Sequence, residues 1–267
     1  RAGALPTLTR LSRTIDAITN NDAIGRAAYV GRSAFAHKGG VHVNAVMKHA
    51  STYEHVEPNT VGNSRRVLVS DLSGRSNVHY KAAELGVEVG ADGWAGDVLQ
   101  RVKAMESQGW QFEGAEASLK LLMREASGQR PRFFEVQEAT VSTKIGTDGD
   151  KASAWVRVKL GSREVQYGAV GNGPVDALAS ALMEILEGPY PALRKVRLVD
   201  YKVRILDSGS GCSATVRVLI RATDGVDTWG TVGVSTNVVE ASWHALVDAF
   251  DHMLIEAGVH SLDEVAA

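Results

Sequence analysis

A chain of 267 residues, 44% hydrophobic and 22% charged, with 29 basic against 31 acidic side chains and a net charge of -2, has an ordinary globular composition. It has no basic field to condense on nucleic acid or an anionic membrane, no apolar run near the roughly 18 to 20 residues that span a bilayer, and no signature of disorder or of a collagen-like repeat. Its single cysteine, Cys212, excludes an internal disulfide framework and fits a reducing cytoplasm. The chain opens Arg-Ala-Gly, with neither an initiating Met nor an apolar signal segment, so a piece of a longer cytoplasmic protein is expected.

The first half reads as helix and loop. Leu8, Leu11, Ile15 and Ile18 form one apolar stripe of a helix that stops near Asn20-Asn21. From Gly25 to Asn63 no period is sustained, and a glycine-punctuated stretch of that length reads as an ordered functional loop. Ser73 is placed to cap a helix running to about Leu85. Trp94, Val98, Val102 and Met105 mark the next helix, and Ala115, Leu119 and Leu122 another, with Gly109 as the stop between them. Ser127 to Pro131 reads as a linker.

Beyond Pro131 the period changes. Ala154, Val156, Val158 and Leu160 alternate with Trp155, Arg157 and Lys159, as in a half-buried strand. Val175, Leu178, Leu182, Ile185 and Leu186 then line one helical face, closed by Gly188-Pro189. The same order returns with Ala214, Val216, Val218 and Ile220, then Val239, Trp243, Leu246, Phe250 and Leu254. Ala154-Trp-Val-Arg-Val answers Ala214-Thr-Val-Arg-Val at an offset of 60, and Val170-Gly-Asn-Gly answers Val234-Ser-Thr-Asn at 64, which implies a four-residue insertion. Each repeat reads strand, strand, strand, helix. The expected class is α+β: accessory helices over residues 1–63 and 64–130, then a duplicated β-β-β-α domain over 131–267 that dimerises.

Few residues suggest chemistry by themselves. His37, His42, His49 and His55 are spaced by five, seven and six, so none makes the i, i+4 pair of a helical metal site, and no metal is expected in this chain. One of them could instead transfer a proton from a loop. Gly171-Asn-Gly-Pro opens a helix whose free N–H groups could hold an anion, or it is simply a strand-to-helix turn; no Lys-Ser/Thr follows, which excludes a Walker loop. Asp207-Ser-Gly-Ser-Gly reads as a hairpin loop, Cys212 as a small strand residue, and Arg65-Arg66 as a solvated pair. Ser73 and Asp71 lack the strained elbow of a nucleophile.

Three runs carry a resemblance. Ala34-Phe-Ala-His-Lys-Gly-Gly-Val-His-Val, Tyr53-Glu-His-Val-Glu-Pro-Asn-Thr-Val-Gly-Asn and Leu72-Ser-Gly-Arg-Ser-Asn resemble the post-barrel region of the 2-isopropylmalate, homocitrate and citramalate synthase family. Glu106-Ser-Gln-Gly-Trp-Gln-Phe-Glu-Gly-Ala-Glu-Ala-Ser is similar to its citramalate branch, and Val170-Gly-Asn-Gly-Pro-Val-Asp-Ala to its allosteric domain. The resemblance implies an acyltransferase that condenses acetyl-CoA with pyruvate in isoleucine synthesis, a homodimer with isoleucine as feedback effector. The family's catalytic TIM barrel, with its divalent metal, is marked by an Arg-Asp-Gly motif and a His-x-His pair; neither occurs here, so the chain is expected to be inactive alone.

Residue by residue, the resemblance implies catalytic roles for His42 and Tyr53, with Asn44 where many members have Asp and Gly39 in place of the usual Ser. It implies an effector pocket at Val175, Asp176, Leu198, Tyr201 and Ile205. The last three are spaced three and then four apart, so only a bulged strand would put them on one face. A 2-isopropylmalate synthase regulated by leucine, a free-standing amino-acid sensor and a purely structural dimerisation domain are the alternatives.

Overall fold

The computed structural model describes residues 2–21, 23–146 and 151–260. The chain forms two compact units, Arg1–Ala104 and Met105–Ala267.

In the first unit, a 3-10 turn (Ala2–Thr7) leads into α1 (Leu8–Thr19), which ends at Asn20 in the left-handed region, φ 54°. The expected stop is therefore met by the residue type that tolerates it. Within this unit the apolar stripe is not buried: Leu11, Ile15 and Ile18 are exposed, and the helix docks by its opposite side, where buried Thr9 donates to the Val61 carbonyl at 2.7 Å. The stretch read as one long loop holds more order than its period suggests. It contains β1 (Ala36–His37), α2 (Gly40–Lys48) and 3-10 turns at Ala50–Thr52 and Pro58–Val61; β1 pairs in parallel with β2 (Arg66–Val67). Then come α3 (Arg75–Glu84) and α4 (Trp94–Ser107). The N-cap of α3 is Gly74 rather than Ser73. Ser73 is buried one residue earlier, its hydroxyl accepting the Ser70 N–H and lying 3.2 Å from the carbonyls of Lys38 and Leu68.

The second unit takes in the end of α4 and continues with α5 (Glu116–Ala126), β3 (Glu135–Lys144), β4 (Lys151–Leu160), β5 (Arg163–Gly171) and α6 (Pro174–Leu186). The same order continues as β6 (Arg197–Ile205), β7 (Val216–Thr223), β8 (Thr228–Ser235) and α7 (Val238–Glu256). Each trio of strands is an antiparallel meander, ordered β3-β4-β5 and β6-β7-β8. Strict burial alternation along β4 puts Ala154, Val156, Val158 and Leu160 inside, and one apolar cluster runs through both sheets and both long helices. Cys212 falls in a 3-10 turn (Ser208–Ser213) between β6 and β7, not in a strand, and its side chain lies outside the described residues.

Strand register corrects the repeat arithmetic. Val158 pairs with Val136 just before a bulge at Gln137, and Ala222 pairs with Leu198 just before one at Val199. The offset is thus 62 for the first strands and 64 for the second, not 60. The apparent match at 60 aligned residues of like type that occupy different rungs. The length difference is two residues, in the connection between first and second strands.

On the inner face of β8 the side chains taper toward α7. The Trp229 indole donates to the Ala249 carbonyl at 3.2 Å, the Thr231 hydroxyl donates to that of Ala245 at 2.7 Å, and Gly233 meets Ala241 directly. Four helical residues rise about 6 Å and two strand residues about 6.6 Å, so an antiparallel helix keeps step with the strand. At the free edge of β8 the Val232 N–H donates to the Ser118 hydroxyl of α5 at 3.1 Å, and that hydroxyl donates to Asp248 of α7 at 2.6 Å. Arg130, in the linker, reaches Asp251 at 2.6 Å and Asp248 at 3.5 Å.

This cluster holds two carboxylates near one guanidinium. Burial pushes Asp248 up to about 6, against the pull of Ser118 and Arg130, and burial raises Asp251 too. A folded pKa above the unfolded one contributes stability that is present below about pH 4 and is lost as pH rises through about 6. Asp248→Asn keeps an acceptor for Ser118 and removes this titration. It should make stability less pH-dependent than in the wild type, by roughly 2 kcal/mol between pH 4 and 7. Urea unfolding at both pH values checks this; identical pH dependence in the two proteins would refute it.

Candidate functional site

The residues the sequence singles out in the first unit are assembled by backbone packing around two glycines. At the start of α2, a Cβ on Gly40 would lie 2.8 Å from the Gly74 nitrogen and 3.1 Å from its Cα, so the first turns of α2 and α3 can meet only with glycine there. The fully buried Asn77 amide donates to the Lys38 carbonyl at 3.0 Å and to that of Leu68 at 3.2 Å, and so fixes the strand that feeds α2. The Leu72-Ser-Gly-Arg-Ser-Asn run is thus a brace for residues 37–40.

His42 lies in the first turn of α2, not on a loop, and is exposed. Tyr53 follows the 3-10 turn Ala50–Thr52 and is 47% exposed. The two rings meet, with centroids 4.3 Å apart and planes tilted by 33°. Asn44 does not share that face: two residues along a helix is about 200° around it. The other histidines have separate surroundings: His37 bonds Glu54, His55 lies edge-on to Tyr29 at 6.1 Å, and His49 ends α2.

Glu54, absent from the sequence expectations, is the buried centre of this region. Arg65 donates from Nε to Oε1 at 2.7 Å and from Nη2 to Oε2 at 2.6 Å, while His37 Nε2 lies 2.9 Å from Oε1. The bidentate bond with Arg65 holds the Glu54 carboxyl below its usual range; burial opposes this and His37 assists it. Arg65 is therefore not one of a solvated pair. Arg66, half-buried, lies 3.5 Å from the Arg32 carbonyl. No spacing rule would have paired residues 54 and 65.

In the second unit, Val175 and Asp176 lie in the first turn of α6, and the Asp176 carboxylate accepts the Asn172 N–H at 2.8 Å. The bulge at Val199 supplies the bend that the spacing of Leu198, Tyr201 and Ile205 requires. Opposite Ala222, Ile220 and Val216, all three share the helix-covered face. Yet they stay 42%, 42% and 60% exposed, because α7 covers β7 and β8 and leaves the outer strand bare. The Tyr201 hydroxyl bonds that of Ser242 on α7 at 2.7 Å.

Residues 29–109 match the homocitrate synthase post-HMGL domain-like family, and residues 113–254 match the LeuA allosteric (dimerisation) domain. The chain is 47% identical over 250 residues to an (R)-citramalate synthase of Geobacter sulfurreducens, covering 92% of this chain and 47% of that protein. It is 44% identical over 260 residues to an (R)-citramalate synthase of Streptomyces coelicolor, with 96% and 49% covered. A 2-isopropylmalate synthase of Methanocaldococcus jannaschii is 27% identical over 255 residues, with 92% and 46% covered. The chain spans about half the length of these relatives, and no helix among the described residues is long and apolar enough to cross a membrane. With a LeuA allosteric (dimerisation) domain over more than half its length, and a post-HMGL domain before it, the chain belongs to the 2-isopropylmalate, homocitrate and citramalate synthase family.

Proposed function

We propose that the chain is the accessory and regulatory half of an (R)-citramalate synthase, a homodimeric cytoplasmic enzyme that joins acetyl-CoA to pyruvate and is held in check by isoleucine. The observation that carries the catalytic part is the contact between His42 and Tyr53, two side chains suited to handling protons, on an exposed surface of the post-HMGL unit. The condensation removes a proton from the acetyl methyl group. The resulting enolate carbon then forms a C–C bond with the keto carbon of pyruvate, whose oxygen gains the electron pair and a proton, and water cleaves the thioester to release CoA. An imidazole and a phenol can move protons at the methyl group or donate to an enolate or alkoxide oxygen. The barrel and its divalent metal belong to the half of the protein outside this chain. Among the described residues no three His, Cys, Asp or Glu converge on a common point, so no step is assigned to a metal here.

The regulatory part rests on the apolar row that the bulge at Val199 brings into phase. Leu198, Tyr201 and Ile205 offer apolar surface for a branched side chain. The α6 N-terminus can take a carboxylate, and Asp176 beside it can attract an ammonium as well as hold its own helix start.

Two measurements test the reading. The chain alone should release no CoA above background from acetyl-CoA with either pyruvate or 2-oxoisovalerate and a divalent metal; turnover with either acceptor defeats the half-enzyme reading. Calorimetry on the chain with isoleucine, leucine and valine should show isoleucine binding most tightly. Preference for leucine moves the assignment to 2-isopropylmalate synthesis, and no binding favours a structural dimerisation role.

A further inference from the structure

We infer that Glu54 is a positioning residue for the Tyr53–His42 pair: its buried carboxylate, clamped by Arg65 and His37, locks together the two segments on which those rings stand. The inference deepens the proposed function and rests on Tyr53 and His42 acting together in it.

Tyr53 needs such a device. It occupies neither helix nor strand, at φ -132° and ψ -8°, and its backbone N–H reaches only back to the Ala50 carbonyl at 3.3 Å. A half-exposed phenol on a local turn would sample many positions. The next residue, Glu54, is turned inward and is 6% exposed. Three bonds of 2.6–2.9 Å hold its two oxygens. The Arg65 fork fixes the carboxylate plane, which a lysine could not do.

The partners lie in informative places. His37 is in β1, on the run His37-Lys-Gly-Gly that opens α2, and stands five residues before His42. Arg65 immediately precedes β2, the parallel neighbour of β1. One carboxylate thus ties the turn bearing Tyr53 to the strand pair that launches the helix bearing His42. If the cluster served stability alone, an apolar trio of similar volume would serve as well. The cluster joins the two segments that carry the exposed rings of Tyr53 and His42.

The test uses Glu54→Gln, Tyr53→Phe and the double variant in the full-length enzyme. Glu54→Gln should lower kcat by about ten- to a hundredfold with KM little changed, because misplacement by about 1 Å costs on that order. In the Tyr53→Phe background the same change should cost less than it does in the wild type, since the phenol it places is gone and only the contact with His42 remains to be positioned. In this chain, the ring-proton resonances of His42, displaced by the stacked Tyr53 ring, should move toward free-histidine positions in Glu54→Gln while the thermal midpoint shifts by only a few degrees. Independent, multiplying losses in the double variant, or His42 resonances that do not move, would overturn the inference. If Tyr53→Phe itself keeps full turnover, the functional reading of the pair fails, and the resonance measurement still decides whether Glu54 holds it. Should Glu54→Gln not fold, Arg65→Lys, which keeps the charge and loses the fork, carries the same readouts.

Discussion

In the full-length enzyme, His42→Ala or Tyr53→Phe is expected to lower turnover by about 10²- to 10⁴-fold, the usual cost of losing one positioned proton-transfer group. Folding should survive both changes. His42 is exposed in the first turn of α2, whose buried contacts are made by Val43 and Val46, and Tyr53 is half in solvent with its hydroxyl removable without a cavity. Circular dichroism and thermal melting would confirm intact structure, and steady-state turnover in the proposed condensation would give kcat. Phe at position 53 preserves the ring contact with His42, so a loss there isolates the hydroxyl; a loss only in His42→Ala would reduce the pair to a single functional group. Wild-type turnover in both variants would remove these residues from the reaction.

The largest expected loss of stability comes from a single methyl group. In Gly233→Ala the new Cβ would fall on the carbonyl oxygen of Ala241 and within 3.1 Å of the Ala245 nitrogen, both backbone atoms of α7. A flexible side chain could move aside; a 19-residue helix packed along its whole length cannot do so cheaply. A cost of about 3 kcal/mol is expected, a fall in melting temperature of roughly 6 to 12 °C for a domain this size. Gly188→Ala, where a Cβ would meet nothing within 4 Å, should stay within about 0.5 kcal/mol of wild type. Equal melting temperatures for the two variants would show that α7 does not approach β8 as closely as described.

Elements whose own side chains bury them were readable in advance. β4 is covered on one face only, so its alternation is written residue by residue, and α6 and α7 announce their apolar faces in the same way. The helix α2 was hidden because little in it favours a helix intrinsically: it begins with glycine, includes His and Asn, and buries only Val43 and Val46. What holds it is the contact of Gly40 with Gly74, thirty-four residues away. For α1 the period was legible, but the face that docks was not, since a stripe says which side is apolar and nothing about what is available to cover it. His42 and Tyr53 came from a resemblance, and only the turn at residues 50–53 explains why they meet. Glu54 and Arg65 were invisible because charged residues are surface residues by default, and only the folded backbone brings a matching fork to a buried carboxylate.

The bulges at Gln137 and Val199 have a consequence for how the second unit can associate. Both interrupt outer strands, the places where another chain could add itself to a sheet by main-chain pairing. A bulge breaks the even row of donors and acceptors near one end of each strand and coils it there, so a newcomer could not pair in one register along the whole edge. On β6 the same distortion brings Leu198, Tyr201, Val203 and Ile205 onto one face, where they stay partly bare. The outer strand is therefore adhesive through its side chains and resistant through its backbone. It favours a partner that docks against that face over one that adds a strand across the bulge.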